Sequence, residues 1–147
     1  MKIFIDGSAG TTGLRIKDRL MKRSDVELTT LSEEQRKDTE SRKQALNSAQ
    51  VAFLCLPDAA AVEAVELVEN PDTVIIDTST AHRTSEGWAY GFPELSAEFE
   101  DKIKNSKRIA VPGCHAGGFI ALVYPLVEAG VLGNDALLNC YSLTGYS

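Results

Sequence analysis

The chain has 147 residues, 44% of them hydrophobic and 24% charged, enough for one domain with a real core. Its net charge of −6 argues against nucleic acid and anionic membrane surfaces as partners, but leaves room for an anionic small molecule at a local site. No apolar run approaches the roughly 20 residues of a membrane span, the N-terminus runs into a strand instead of a leader, and Cys55, Cys114 and Cys140 are too scattered for a zinc site or a disulfide framework, so no metal and a reducing cytoplasm are expected.

The predicted elements alternate. Ile3-Phe4-Ile5 reads as a short buried strand. Thr11 to Arg23 reads as an amphipathic helix, with Leu14, Ile16, Leu20 and Met21 on one side and Arg15, Asp18, Arg19 and Lys22 on the other. Val26 to Leu31 is a second strand, and Ser32 to Ser48 a polar loop followed by a weak helix ending near Asn47. Val51 to Leu56 is a third strand, stopped by Pro57, and Asp58 is placed to cap an Ala/Val-rich helix to about Glu69. Val74 to Asp77 and Arg108 to Val111 are further strands, separated by a loop rich in aromatics and a charged helix near Ser96–Asn105. A helix from about Cys114 to Ala129 and a last strand from Ala136 to Leu143 complete the pattern. This rhythm specifies a Rossmann-like, doubly wound, mostly parallel α/β sheet over residues 1–135. The chain stops inside a turn-like stretch just after that last strand, so it reads as a fragment.

Two loops carry chemistry. The first is GSAGTTG, Gly7 to Gly13, between the first strand and the first helix. It is either a plain glycine-rich turn or a cradle for a nucleotide pyrophosphate, built from Gly7, Ser8, Ala9, Gly10, Thr11, Thr12 and Gly13. Its place in the first βαβ unit favours the cradle. The second strand ends without the acidic residue that an NAD ribose usually meets. Ser32, Arg36 and Lys37 lie just beyond and suit a 2′-phosphate, although Glu33 and Glu34 sit among them. The second loop is VPGCHAGGF, Val111 to Phe119. It places Cys114 at a helix start on the carboxyl edge of the sheet, a position that favours a nucleophilic thiolate. Cys55 and Cys140, each in a predicted strand, read as buried structural residues. His115, and His82 and Arg83 in DTSTAHRT, are candidates for substrate contact. Glu94 in YGFPEL either orients substrate or caps the next helix, and Trp88, Tyr90 and Phe92 read as loop anchors.

Taken together, GSAGTTG, FLCLP, DTSTAHRT, YGFPEL, PGCHAGGF and SLTGYS closely resemble N-acetyl-gamma-glutamyl-phosphate reductase, in its shorter-chain form. The resemblance covers all 147 residues but about the first half of that family's chain. It implies that NADP(H) lies against the glycine loop, with Leu56, Pro57 and Ser79 as further cofactor contacts, and that Cys114 is the nucleophile. It also implies that N-acetyl-glutamyl phosphate is reduced to the semialdehyde with release of phosphate, through a Cys thioester. The family's histidine base belongs to a second α+β domain downstream, of which residues 136–147 are then the start, so these 147 residues are expected to be inactive alone and the parent enzyme to be a homo-oligomer. Many members read Asn-Pro-Gly-Cys-Tyr where this chain has Val111 and His115 at the flanks. Aspartate-semialdehyde dehydrogenase shares fold and chemistry and is one alternative; a non-catalytic NADP-binding module is the other.

Overall fold

The computed structural model describes residues 1–143. Strand β1 (Lys2–Asp6) leads through the glycine loop into α1 (Thr11–Leu20), followed by β2 (Glu27–Thr29), α2 (Thr39–Ser48), β3 (Val51–Leu54) and α3 (Asp58–Glu66). Then come β4 (Val74–Asp77), a short β5 (Ala89–Tyr90), a 3-10 turn at Pro93–Leu95, α4 (Ala97–Asn105), β6 (Arg108–Ala110) and α5 (Cys114–Glu128). The strands form one sheet in the order β2-β1-β3-β4-β6-β5, and every described pair is parallel. The chain steps outward from β1 to β2, then returns across β1 to β3. The reversal opens a crevice at the carboxyl ends of β1 and β3, where ligands settle in such sheets.

The register explains the core. Phe4 pairs with Ala52, and Ala52 with Ile75, so these side chains share one face of the sheet. Leu54, two residues beyond Ala52 on β3, shares that face, and Leu46 of α2 and Ala64 of α3 close over it; all three are fully buried. Asn47 fastens the far end of this layer: its amide donates to the Leu67 carbonyl, and its side-chain oxygen accepts from the Glu69 and Asn70 amides.

Five sequence expectations are corrected. β2 spans only Glu27–Thr29, because an edge strand is held on one side alone, here by β1. The Trp88–Phe92 stretch contains a two-residue strand, not only loop. Residues 136–143 form no strand and are exposed, paired with neither free edge of the described sheet, β2 or β5; Cys140 among them is exposed, not buried. Asp58 does not cap α3, whose N-cap is Pro57. The apolar side of α1 is also less covered than its pattern suggests, since Leu14 and Met21 are exposed. Residues 144–147, with the Gly-Tyr-Ser stretch, lie outside the described residues.

Candidate functional site

The glycine loop is shaped from within at two positions and open at a third. Gly7 has a φ of +82°, and a Cβ there would lie 2.2 Å from the carbonyl oxygen of Cys55, the residue just after β3. A Cβ on Gly13 would lie 2.3 Å from the Gly7 carbonyl oxygen. Gly10 differs: a Cβ there would meet nothing nearer than the Gly7 oxygen at 3.6 Å. The protein itself does not require glycine at position 10, so the open space above it fits a group approaching from outside. Gly10 is the N-cap of α1, with no capping side chain and no acid in the first turn. The Thr11, Thr12 and Gly13 amides meet no acceptor among the described residues. Unpaired donors and a positive helix end suit a pyrophosphate.

Around this loop each strand end is tied down. Asp6 closes β1; its buried carboxylate pairs with Arg42 of α2 at 2.8 Å, and its carbonyl accepts from the Cys55 amide. Burial pushes the Cys55 thiol up to about 11. After β2, Ser32 and Gln35 exchange side-chain-to-backbone hydrogen bonds. Lys37 is exposed beside Glu33 at 3.9 Å. Arg36 carries a buried Nε that has no hydrogen-bond partner. Leu56 lies against Gly7, and Pro57 opens α3. The Asp58 carboxylate accepts from the amide and hydroxyl of Thr80, which holds its pKa below the ordinary value.

The end of β4 holds a polar cluster. Asp77 is fully buried and accepts from the Ser79 amide at 2.9 Å and the Ser79 hydroxyl at 2.6 Å. Its Oδ2 also lies 2.7 Å from His82 Nδ1, and the His82 ring stacks on Trp88 with centroids 4.1 Å apart. Ser79 and His82 are therefore engaged in holding this loop. Arg83 reaches across to the next strand end: its Nε donates to the Val111 carbonyl at 3.0 Å and Nη2 to the Thr78 carbonyl at 3.3 Å. A Cβ on Gly113 would lie 2.5 Å from Arg83 Nη1, so glycine there admits the guanidinium.

Gly113 is the N-cap of α5, again without a capping side chain, and Cys114 is the helix's first residue and exposed. Cys114, His115, Phe119 and Leu122 line one wall of a cleft of about 430 Å³, and Leu138 and Cys140 line the other. His115 Nδ1 contacts the Ser142 hydroxyl, which seats the 136–143 segment on α5. Glu94 is not brought here: it lines a small pocket with Tyr124 and Pro125, ten residues and about 15 Å along α5 from Cys114. Sequence reasoning missed the Asp6–Arg42 pair and the anchoring part of Asp77. The available signal was an acid closing a buried strand, which needs a partner.

A wound parallel sheet, an uncapped helix behind a glycine turn and an exposed thiol at a second helix start define a Rossmann-like dinucleotide-binding domain. Residues 2–105 match the family model described as "Semialdehyde dehydrogenase, NAD binding domain", and the chain belongs to that family, a nicotinamide-nucleotide-binding one. Cys114 lies beyond the matched span. The chain is 52% identical over 145 residues to N-acetyl-gamma-glutamyl-phosphate reductase 2 of Pseudomonas putida, covering 99% of this chain and 46% of that one. It is 53% identical over 146 residues to N-acetyl-gamma-glutamyl-phosphate reductase of a Chelativorans species, covering 99% and 47%. The chain thus spans about half the length of the curated relatives it matches. Among solved structures it is similar to aspartate semialdehyde dehydrogenase from Francisella tularensis, with a TM-score of 0.65 and 17% identity over 88% of this chain and 41% of that one. The Candida albicans aspartate semialdehyde dehydrogenase with NADP gives 0.60 and 19%, over 86% and 46%. At such identities the likeness is one of fold. Among the described residues no helix is long and apolar enough to cross a membrane.

Proposed function

We propose that this chain is the cofactor-binding, cysteine-bearing part of an NADP-dependent N-acetyl-gamma-glutamyl-phosphate reductase. The observation that carries the reading is Cys114, exposed on the uncapped first turn of α5 beside a cleft, in a chain about half identical to reductases of that name. Gly10 and the free amides of Thr11, Thr12 and Gly13 hold the pyrophosphate, and Ser8 and Ala9 complete the loop. Ser32, Arg36 and Lys37 hold the 2′-phosphate, and the orphaned Arg36 Nε is the group that such an anion would satisfy. Leu56 and Pro57 flank the crevice from β3. A nicotinamide cofactor bound there supplies a hydride.

Cys114 as thiolate attacks the acyl-phosphate carbonyl, the C–O bond to phosphate breaks, and a thioester remains on sulfur. The free amides of the first turn of α5 are placed to donate to the oxyanion. Arg83 and His115, at the mouth of the same loop, are the substrate-side groups. Residues 1–135 form the nucleotide domain and 136–147 the entry to a second, α+β domain that carries the histidine base and the oligomer interface. Three free thiols suit a reducing cytoplasm. The test is NADPH binding by fluorescence together with phosphate-dependent reduction of NADP by N-acetylglutamate semialdehyde, run on this chain and on one extended to the relatives' length. Binding by both, with turnover about 10²–10⁴-fold or more weaker in the shorter chain, is expected, because a general base is missing from it. Equal turnover, or no loss in Cys114→Ser, would overturn the mechanism.

A further inference from the structure

We infer that Cys114 and Cys140 form a redox pair, in which a hydroperoxide oxidises Cys114 and Cys140 resolves it into a reversible disulfide. The inference rests on the reading of Cys114 as the nucleophile and goes beyond it. Both thiols are exposed, and both line the same cleft of about 430 Å³. The contact between His115 and Ser142 brackets the pair: Cys114 adjoins the first residue, and Cys140 stands two residues from the second. A disulfide needs Cα atoms about 4.4–6.8 Å apart. The 136–143 segment belongs to no strand, so closing the cleft to that separation costs it no ladder hydrogen bonds. Cys55, by contrast, is half-buried and its thiol is pushed up to about 11, which keeps it protonated and out of this chemistry.

The step balances. The Cys114 thiolate attacks a peroxide oxygen, an S–O bond forms and the O–O bond breaks. The sulfur is oxidised to a sulfenic acid, and the peroxide is reduced to water or an alcohol. The Cys140 thiolate then attacks the Cys114 sulfur; the S–S bond forms, the S–O bond breaks, and hydroxide leaves to take up the proton as water. The disulfide occupies the sulfur that would carry the thioester and shields it from irreversible oxidation. A thiol reductant restores it.

The experiment treats the protein with one equivalent of hydrogen peroxide, blocks with iodoacetamide, and maps peptides without reduction. The expected result is a Cys114–Cys140 cross-linked peptide within the monomer, lost on dithiothreitol. In Cys140→Ser, the dimedone adduct at Cys114 should rise and the cross-link disappear. Three results would overturn the inference: no cross-link with equal dimedone labelling in wild type and Cys140→Ser, a cross-link involving Cys55, or Cys114 paired only between molecules. Iodoacetamide labelling of the reduced protein separates the two ideas. Cys114 labelling faster than Cys55 without the cross-link removes the pair and keeps the nucleophile; Cys114 labelling no faster than Cys55 removes both.

Discussion

Under the proposed reading, cofactor choice turns on Arg36. Its buried Nε is a donor with no acceptor, and such a group is costly unless something outside the chain satisfies it. Arg36→Ala is expected to weaken NADPH binding by about 10- to 100-fold, the worth of a charged hydrogen bond of roughly 1.5–3 kcal/mol, and to leave NADH binding unchanged. Lys37→Ala should do less, because Lys37 is exposed and already shares its charge with Glu33. Paired titrations with the two nucleotides decide it; an equal loss for both would assign Arg36 to the fold. Cys55 makes a prediction about pH. Its thiol keeps its proton to about 11 when folded, against an ordinary value of 9.0. The unfolded chain therefore loses that proton first, and stability should fall as pH rises from about 9 through about 11. Denaturant melts of wild type and Cys55→Ala across that range should converge if Cys55 is the cause; parallel curves would exclude it.

Among the elements, the tie between the ends of β4 and β6 matters most for the site. Arg83 spans them, and Gly113 makes the room it needs. Gly113→Ala puts a methyl 2.5 Å from Nη1, so the guanidinium has to shift and the contacts that Arg83→Ala removes should weaken. Each single variant is expected to lose about 1–3 kcal/mol. The double variant should lose clearly less than the sum, because the second change finds the tie already broken. Additive losses in urea melts would show that the two act separately. The position of this glycine before the cysteine was legible in the sequence as a sharp turn. Its neighbour was not, because Arg83 arrives from a different strand end 30 positions earlier in the chain.

For the whole molecule the telling feature is α5. Its residues are strongly apolar, yet none of them is buried, and Phe119, Leu122 and Leu126 are exposed, as are Val131 and Leu137 beyond it. A contiguous apolar face of this kind is a contact surface or an association liability. The chain at this length is therefore expected to associate with rising concentration and to bind a hydrophobic dye. Leu122→Glu, at 73% exposure, should reduce both at little cost in stability. Sedimentation of wild type and variant checks this; a monomer at all concentrations with no dye binding would refute it.

The alternation of strand and helix, the two turns that open helices α1 and α5, and the exposed Cys114 could all be read along the chain. They depend on local pattern: apolar period, glycine, proline and helix-start chemistry act over a few residues. What the tertiary structure decided is everything that needs a distant partner. Gly7 must be glycine because β1 pairs with β3 and brings the Cys55 carbonyl against it. Asp58 serves Thr80 instead of its own helix because β3 and β4 are neighbours. The Ala136–Leu143 stretch has a strand's composition but forms no strand, since a strand exists only where a partner backbone pairs with it, and neither free edge of the sheet, β2 or β5, does so. Side-chain period is written in the sequence; which backbone lies alongside is settled only when the strands assemble into the sheet.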